Sequence, residues 1–222
     1  MLETRDLTMS YGERTLWTGL DLTLKPGQLT ALTGPSGSGK STLLNCMGLL
    51  EQPTSGEIWF DGRELTRMRP GAVRRFRRDH LGYLFQNYAL VENATIAENI
   101  DVALKVRGRR GNAAMSDALE RVGLAGREDD RVSRLSGGEQ QRVALARLIV
   151  KEPSLVLADE PTGALDHGNT EIVVSLLRNL ADSGACVVIA THDDWVRDQC
   201  DETVSLEARG TASRVGVGAA PR

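Results

Sequence analysis

The stretch Gly34-Pro-Ser-Gly-Ser-Gly-Lys40-Ser41 constrains this chain more than any other. It follows an apolar run, Gln28–Thr33, that reads as a buried strand, and it precedes Leu43, Leu44 and Met47 at helical spacing. A strand that passes through a glycine-rich loop straight into a helix points to an α/β layer built on a parallel sheet. Glycines let the backbone curl without Cβ clashes, so successive N–H groups converge on one point. The helix N-terminus adds roughly half a positive charge beneath that point. Such a cradle fits phosphate, and G-x-x-x-x-G-K-[ST] in this context marks a nucleoside triphosphate site. Gly34, Ser36, Gly37, Ser38, Gly39, Lys40, Ser41 and Thr42 are its candidate residues. Lys40 is expected to reach the β- and γ-phosphates, and the Ser41 hydroxyl to ligate Mg²⁺.

The rest of the chain repeats the strand–helix alternation. Ser154–Ala158 and Ala185–Ala190 read as two more buried strands. Between them Ile172, Val173, Leu176, Leu177 and Leu180 form one stripe of an amphipathic helix. This order predicts right-handed crossovers in a mostly parallel sheet. The first 25 residues alternate more tightly and predict an antiparallel edge. Residues of about 87–135 are helical and polar, and are expected to form a lobe inserted in the core. The folded domain is expected over 1–207, with 208–222 disordered, since that tail is small, polar and Gly-rich.

A second motif narrows the reading. Leu135-Ser136-Gly137-Gly138-Glu139-Gln140-Gln141 precedes a helix whose stripe is Ala144, Leu145, Leu148 and Ile149. A capping box explains Ser136 and Glu139 but not two glycines and two glutamines. With this motif the chain resembles the ATP-binding-cassette (ABC) ATPases over about residues 2–207. The resemblance implies a P-loop NTPase core of mostly parallel sheet, an N-terminal antiparallel β part and an inserted helical lobe. It also assigns further residues. Tyr11 matches the aromatic that stacks on adenine, and Gln86 the hinge glutamine that touches Mg²⁺. Asp159 and Glu160 match the acidic strand end, where the first orders the Mg²⁺ shell and the second polarises the attacking water. Asp166 matches a loop crossing to a partner subunit, and His192 the histidine at the γ-phosphate. Two adjacent carboxylates at the end of a buried strand are costly unless paired or cation-bound, in keeping with that assignment.

In such dimers the signature Ser136, Gly137, Gly138 and Glu139 of one protomer close over ATP held by the other. One phosphate loop and one signature therefore imply a homodimer on ATP binding. Glu160, His192 and Lys40 are the expected catalytic residues. The text around Gly82–Tyr88 and Pro161–Asp166 is most similar to a bacterial exporter subfamily that includes macrolide, lipoprotein-releasing and bacteriocin-export ATPases. That implies a separate membrane-spanning permease and a place on the inner, cytoplasmic face of the membrane. An ATPase partner of a membrane protein in cell division or signalling, without transport, is the alternative.

Composition excludes other classes. A net charge of -3 gives no general electrostatic reason to bind nucleic acid, and none is expected as a partner. The interval from Gln86 to Leu135 is too short for the long coiled coil of a chromosome-type ATPase. No apolar run approaches the roughly 20 residues of a membrane helix. Three widely spaced cysteines form no disulfide framework. The densest basic stretch, Arg67 to Arg78, reads either as a solvated helix face or as a contact for anionic lipid or an acidic permease loop. Val91, Ile96, Ile100, Val102 and Leu104 read either as the lobe's own core or as an apolar docking groove.

Overall fold

The computed structural model describes residues 1–106, 112–163, 167–206 and 212–215. The chain opens as a hairpin of β1 (Leu2–Tyr11) and β2 (Arg14–Leu24), paired antiparallel. β4 (Ser55–Phe60) pairs with the other edge of β1, and β5 (Arg63–Glu64) pairs with β4. The result is a separate four-stranded sheet in the order β2-β1-β4-β5. This is the N-terminal antiparallel part that the sequence implies, here built as a sheet of its own. Alternation buries Leu20, Leu22 and Leu24 and leaves the residues between them more exposed, which suits a sheet covered on one side only.

The main sheet contains β3 (Leu29–Thr33), β6 (Leu81–Leu84), β7 (Leu155–Asp159), β8 (Cys186–Ala190), β9 (Glu202–Leu206) and β10 (Ala212–Val215). Their order is β10-β9-β3-β8-β7-β6. The five strands from β9 to β6 are parallel, and β10 runs antiparallel to β9. Parallel strands need cover on both faces, and β7 shows how the sequence supplies it. Leu155 and Leu157 enter one core with Leu43, Leu44 and Met47 of α1 (Lys40–Met47). Val156 and Ala158 enter the other, with α5 (Gly137–Lys151) and α6 (His167–Asp182). Each fully buried leucine or valine contributes about 1.5–3 kcal/mol.

Within α6, Val173, Leu176 and Leu177 are buried as the stripe predicts, while Ile172 is exposed. Val174 is buried too, so the inward face of α6 is rotated away from Ile172. All four stripe residues of α5 are buried. The inserted lobe contains α3 (Ile96–Val106) and α4 (Asn112–Arg121), packed against α5. Ile96, Ile100 and Leu104 belong to its core, whereas Val91 and Val102 stand exposed at 57% and 60%. The basic stretch forms α2 (Pro70–Asp79) and the loop before it. Arg67 pairs with Glu57 and Glu64, and Arg78 with Asp79, so part of its charge is met within the chain. The tail expected to be disordered contributes β10, because β9 would otherwise present an open ladder edge to solvent. The remainder of 208–222 lies outside the described residues. All three cysteines are free and buried.

The junction of β1 with β4 gives a test of the fold. A Cβ at Gly56, where φ is 88°, would stand 2.3 Å from the Asp6 carbonyl oxygen. Gly56→Ala is expected to cost about 2–4 kcal/mol, from left-handed strain plus displaced backbone. Urea denaturation reads this as a lowered midpoint with an unchanged slope.

Candidate active site

Three neighbouring strands, β3, β8 and β7, end at one cleft of about 400 Å³. β3 delivers the phosphate loop, β7 delivers Asp159 and Glu160, and β8 leads to His192. Tyr11, Arg14, Leu16, Ser36, Gly37, Gly39, Lys40, Ser41, Thr42 and Glu160 line the cleft. The loop meets α1 at Gly39, whose φ is 92° and whose absent Cβ would press to 2.8 Å from Trp17 Nε1. Only glycine fits that corner. It gives α1 an N-terminus without a side-chain cap, so the first N–H groups remain open to an anion.

The side chains around this end are arranged for charge. Lys40 Nζ folds back to donate to the carbonyls of Gly34 (2.9 Å) and Pro35 (3.4 Å). Ser41 Oγ donates to Asp159 Oδ1 at 3.0 Å. Burial pushes the Asp159 carboxyl up, Ser41 and Lys40 pull it down, and the Glu160 charge pushes it up again. Glu160 holds a left-handed φ of 47°, and its Oε2 meets His192 Nδ1 at 2.8 Å. Such a backbone costs about 1–3 kcal/mol and persists only where the surroundings enforce it. Here the Glu160 N–H donates to the Ala190 carbonyl of β8 at 3.0 Å. Ser38 Oγ is buried with no partner among the described residues, a donor left over in a phosphate-sized loop. Oxygen donors from Ser41 and Asp159 also suit a hard divalent cation that keeps water and phosphate as its other ligands.

Two residues at this site carry no sequence signal of their own. Arg14 reaches across from β2 to donate to the Gly37 carbonyl at 3.2 Å, adding a second cation to the cleft. Glu51, beyond α1, accepts a short hydrogen bond from the Tyr11 hydroxyl. Gln86 is exposed two residues past β6 and does not line the cleft. The turn after it is strained, with Tyr88 and Ala89 both left-handed at φ 60° and 46°. Arg147 from α5 donates to the Ala89 carbonyl at 2.7 Å and holds it.

The signature forms a different surface. Ser136 caps α5 in a full capping box with Glu139, and none of Ser136, Gly137, Gly138 or Glu139 lines the cleft. Glu139 Oε2 accepts from Ser136 N at 2.7 Å and from Ser136 Oγ at 2.8 Å. Its Oε1 accepts a short hydrogen bond from Arg127, which also reaches Asp130 at 2.7 Å. Asp166 lies outside the described residues.

These features correspond to a known family. The model of the ABC transporter family matches residues 17–163. The chain belongs to the ABC transporter family. It is therefore an ATP-binding cassette, and it is an ATPase. The cassette is 39% identical over 213 residues to the macrolide export ATP-binding/permease protein MacB of Salmonella typhimurium, covering 93% of this chain and 33% of that protein. It is 44% identical over 191 residues to an uncharacterised ABC transporter ATP-binding protein of Mycobacterium tuberculosis, covering 85% of this chain and 58% of the relative. The chain thus spans about a third of the MacB length. Among solved structures, the ATP-binding cassette MJ0796 in a dimeric post-hydrolysis state bound to ADP and Pi superposes with a TM-score of 0.89. That match has 31% identity and covers 99% of this chain and 100% of the other. A second dimeric structure of MJ0796, a bacterial ABC transporter cassette, gives 0.88 at 32% identity, covering 99% and 100%. No helix among the described residues is long and apolar enough to cross a membrane.

The capping cluster gives a pH test. Arg127 first, then Ser136, pull the Glu139 carboxyl down from 4.5 to about 2. A depressed carboxylate stabilises the fold fully above its unfolded value and loses that contribution as pH falls toward the folded one. The urea midpoints of the native protein and Glu139→Gln are therefore expected to differ at pH 7 and to converge as pH drops from about 4.5 toward 2. A gap that stays constant to acid would contradict the ionic character of the cluster.

Proposed function

We propose that this cassette is the ATP-hydrolysing subunit of a bacterial exporter of the macrolide, lipoprotein or peptide type, acting on a separate membrane-spanning permease. The observation that carries the reading is the separation of the two anion-binding helix ends. The N-terminus of α1 opens into the cleft with Lys40, while that of α5, with Ser136 and two glycines, lies outside the cleft lining. A triphosphate held by α1 is covered on one flank only. A second protomer, turned head to tail, offers its α5 end to the other flank, so two ATP molecules lie between two chains. The dimeric state of MJ0796 supports this arrangement.

In the closed dimer Lys40 leaves its carbonyl partners for the β- and γ-phosphates, and Tyr11 stacks on the adenine. Glu160 takes the proton from the attacking water, and its carboxylate is aimed by the His192 bond at 2.8 Å. His192 also contacts the γ-phosphate, and its exposed ring is free to meet an arriving group. Ser41 and Asp159 would hold Mg²⁺, with Gln86 reaching it only once its turn swings toward the cleft, and the ion would neutralise phosphate charge. Phosphoryl transfer needs this positioning and charge stabilisation more than covalent chemistry.

Export is favoured by the MacB relatives, in which cassette and permease share one protein name. The permease's cytoplasmic helices fit a groove of about 260 Å³ beside the Gln86 turn, whose lining includes Val91, Val102, Ala103 and Leu148. Exposed Val91 and Val102 give that groove an apolar rim that stands open among the described residues. Docking there holds the cassette at the inner face of the membrane.

Two variants test the reading. Glu160→Gln is expected to keep ATP binding, to slow turnover by roughly 10²–10⁴, and to accumulate as a dimer with ATP in sedimentation. Unchanged turnover removes Glu160 from the role of base, and a monomer at saturating ATP removes the sandwich. Lys40→Ala is expected to lose ATP affinity in a calorimetric titration, since the triphosphate loses its main counter-ion.

A further inference from the structure

The signature end of α5 is not open in the single protomer. The Ser136 hydroxyl donates to Glu139 at 2.8 Å, and the Ser136 N–H is taken by the same carboxylate. A negative charge therefore sits one turn inside a helix end that has to receive a phosphate. Arg127 meets that charge. Its Nη1 bonds Glu139 Oε1, while its Nε is anchored on Asp130 at 2.7 Å. Arg127 comes from the loop after α4, outside the signature and outside the cleft.

We propose that Arg127 is a positioning residue for the ATP-clamping end of α5, holding the Glu139 carboxylate so that the Ser136 hydroxyl can turn to the partner's triphosphate. The proposal rests on the sandwich reading. When Ser136 turns away, Glu139 loses one of its hydrogen-bond donors and needs another to stay in place. Arg127 keeps the carboxylate bonded and its charge neutralised, so the helix end still attracts an anion. Without Arg127 the carboxylate has two poor choices. It retains Ser136, which removes a donor from the clamp, or it stands bare about one turn from a phosphate. At an effective dielectric near 20, like charges at that spacing weaken association by on the order of tenfold to a hundredfold after solvent screening.

The test uses the full chain with Glu160→Gln as parent, and reads the protein concentration at half-dimerisation with saturating ATP by sedimentation. Arg127→Ala is expected to raise that concentration by roughly tenfold or more, and Arg127→Lys, which keeps the charge, by less. ADP affinity of the monomer, set in its own cleft, is expected to stay as in the parent. The deciding variant is Arg127→Ala with Glu139→Gln, which removes the charge that needs neutralising and is expected to recover most of the dimer. A role in merely shaping the lobe predicts no such rescue, so a double variant as weak as Arg127→Ala overturns the proposal. Arg127→Ala dimerising like the parent overturns it as well. A parent that stays monomeric overturns the sandwich reading, and this proposal with it.

Discussion

A sheet buried on both faces has nowhere to keep charge except at the ends of its strands. In this cassette the carboxyl ends of β3, β8 and β7 are neighbours, although β3 lies more than a hundred positions from the other two in the chain. That adjacency sets a lysine, a serine, two carboxylates and a histidine around one cleft. Burial works against the Asp159 charge, and Ser41 and Lys40 work for it. Glu160 accepts backbone strain to present its carboxylate to His192. Lys40 rests on backbone carbonyls, and the buried Ser38 hydroxyl of the same loop has no partner among the described residues. A phosphate group is the kind of ligand that suits both.

The two helix ends proposed to meet phosphate are built on opposite principles. α1 begins at a left-handed glycine with no side-chain cap, so its N–H groups are free from the start. α5 begins in a capping box, so the N–H groups of Ser136 and Glu139 are already taken. A ligand arriving at α1 displaces little, whereas one arriving at α5 competes with an internal carboxylate. In the sandwich proposed above, the cleft would fill first and the second helix end would engage afterwards at a higher cost. Closure would then be sensitive to what holds Glu139, a residue that does not line the cleft of its own protomer.

Much of this was legible before any coordinates. The strands before the phosphate loop and the acidic pair announce themselves as short apolar runs, because both of their faces are covered. The two glycine-bearing motifs announce the helix ends, because a close backbone approach excludes other residues. What escaped detection depends on distant partners. The antiparallel sheet recruits β4 and β5 from residues 55–64, and no local pattern says that β1 will be their neighbour. Arg14, Glu51 and Arg127 matter through what they reach across space, and a lone charged residue in a turn or strand has no spacing to read. Ile172 was misread because it lies at the edge of a stripe, where one helical step decides between core and solvent.

The turn that follows Gln86 joins the cleft side of the sheet to the groove on its flank. Two successive left-handed residues, neither of them glycine, store about 1–3 kcal/mol apiece there. The contact that holds the bend comes from Arg147, a guanidinium whose own pKa is lowered by burial. Arg147 stands on α5, the helix that begins at the signature, and it lines the same groove as Val91 and Val102. A load applied in that groove therefore acts on the residue that pins the Gln86 turn and on the helix whose N-terminus carries Ser136. The groove is tied to one half of the site through a strained loop and to the other through fifteen residues of continuous helix.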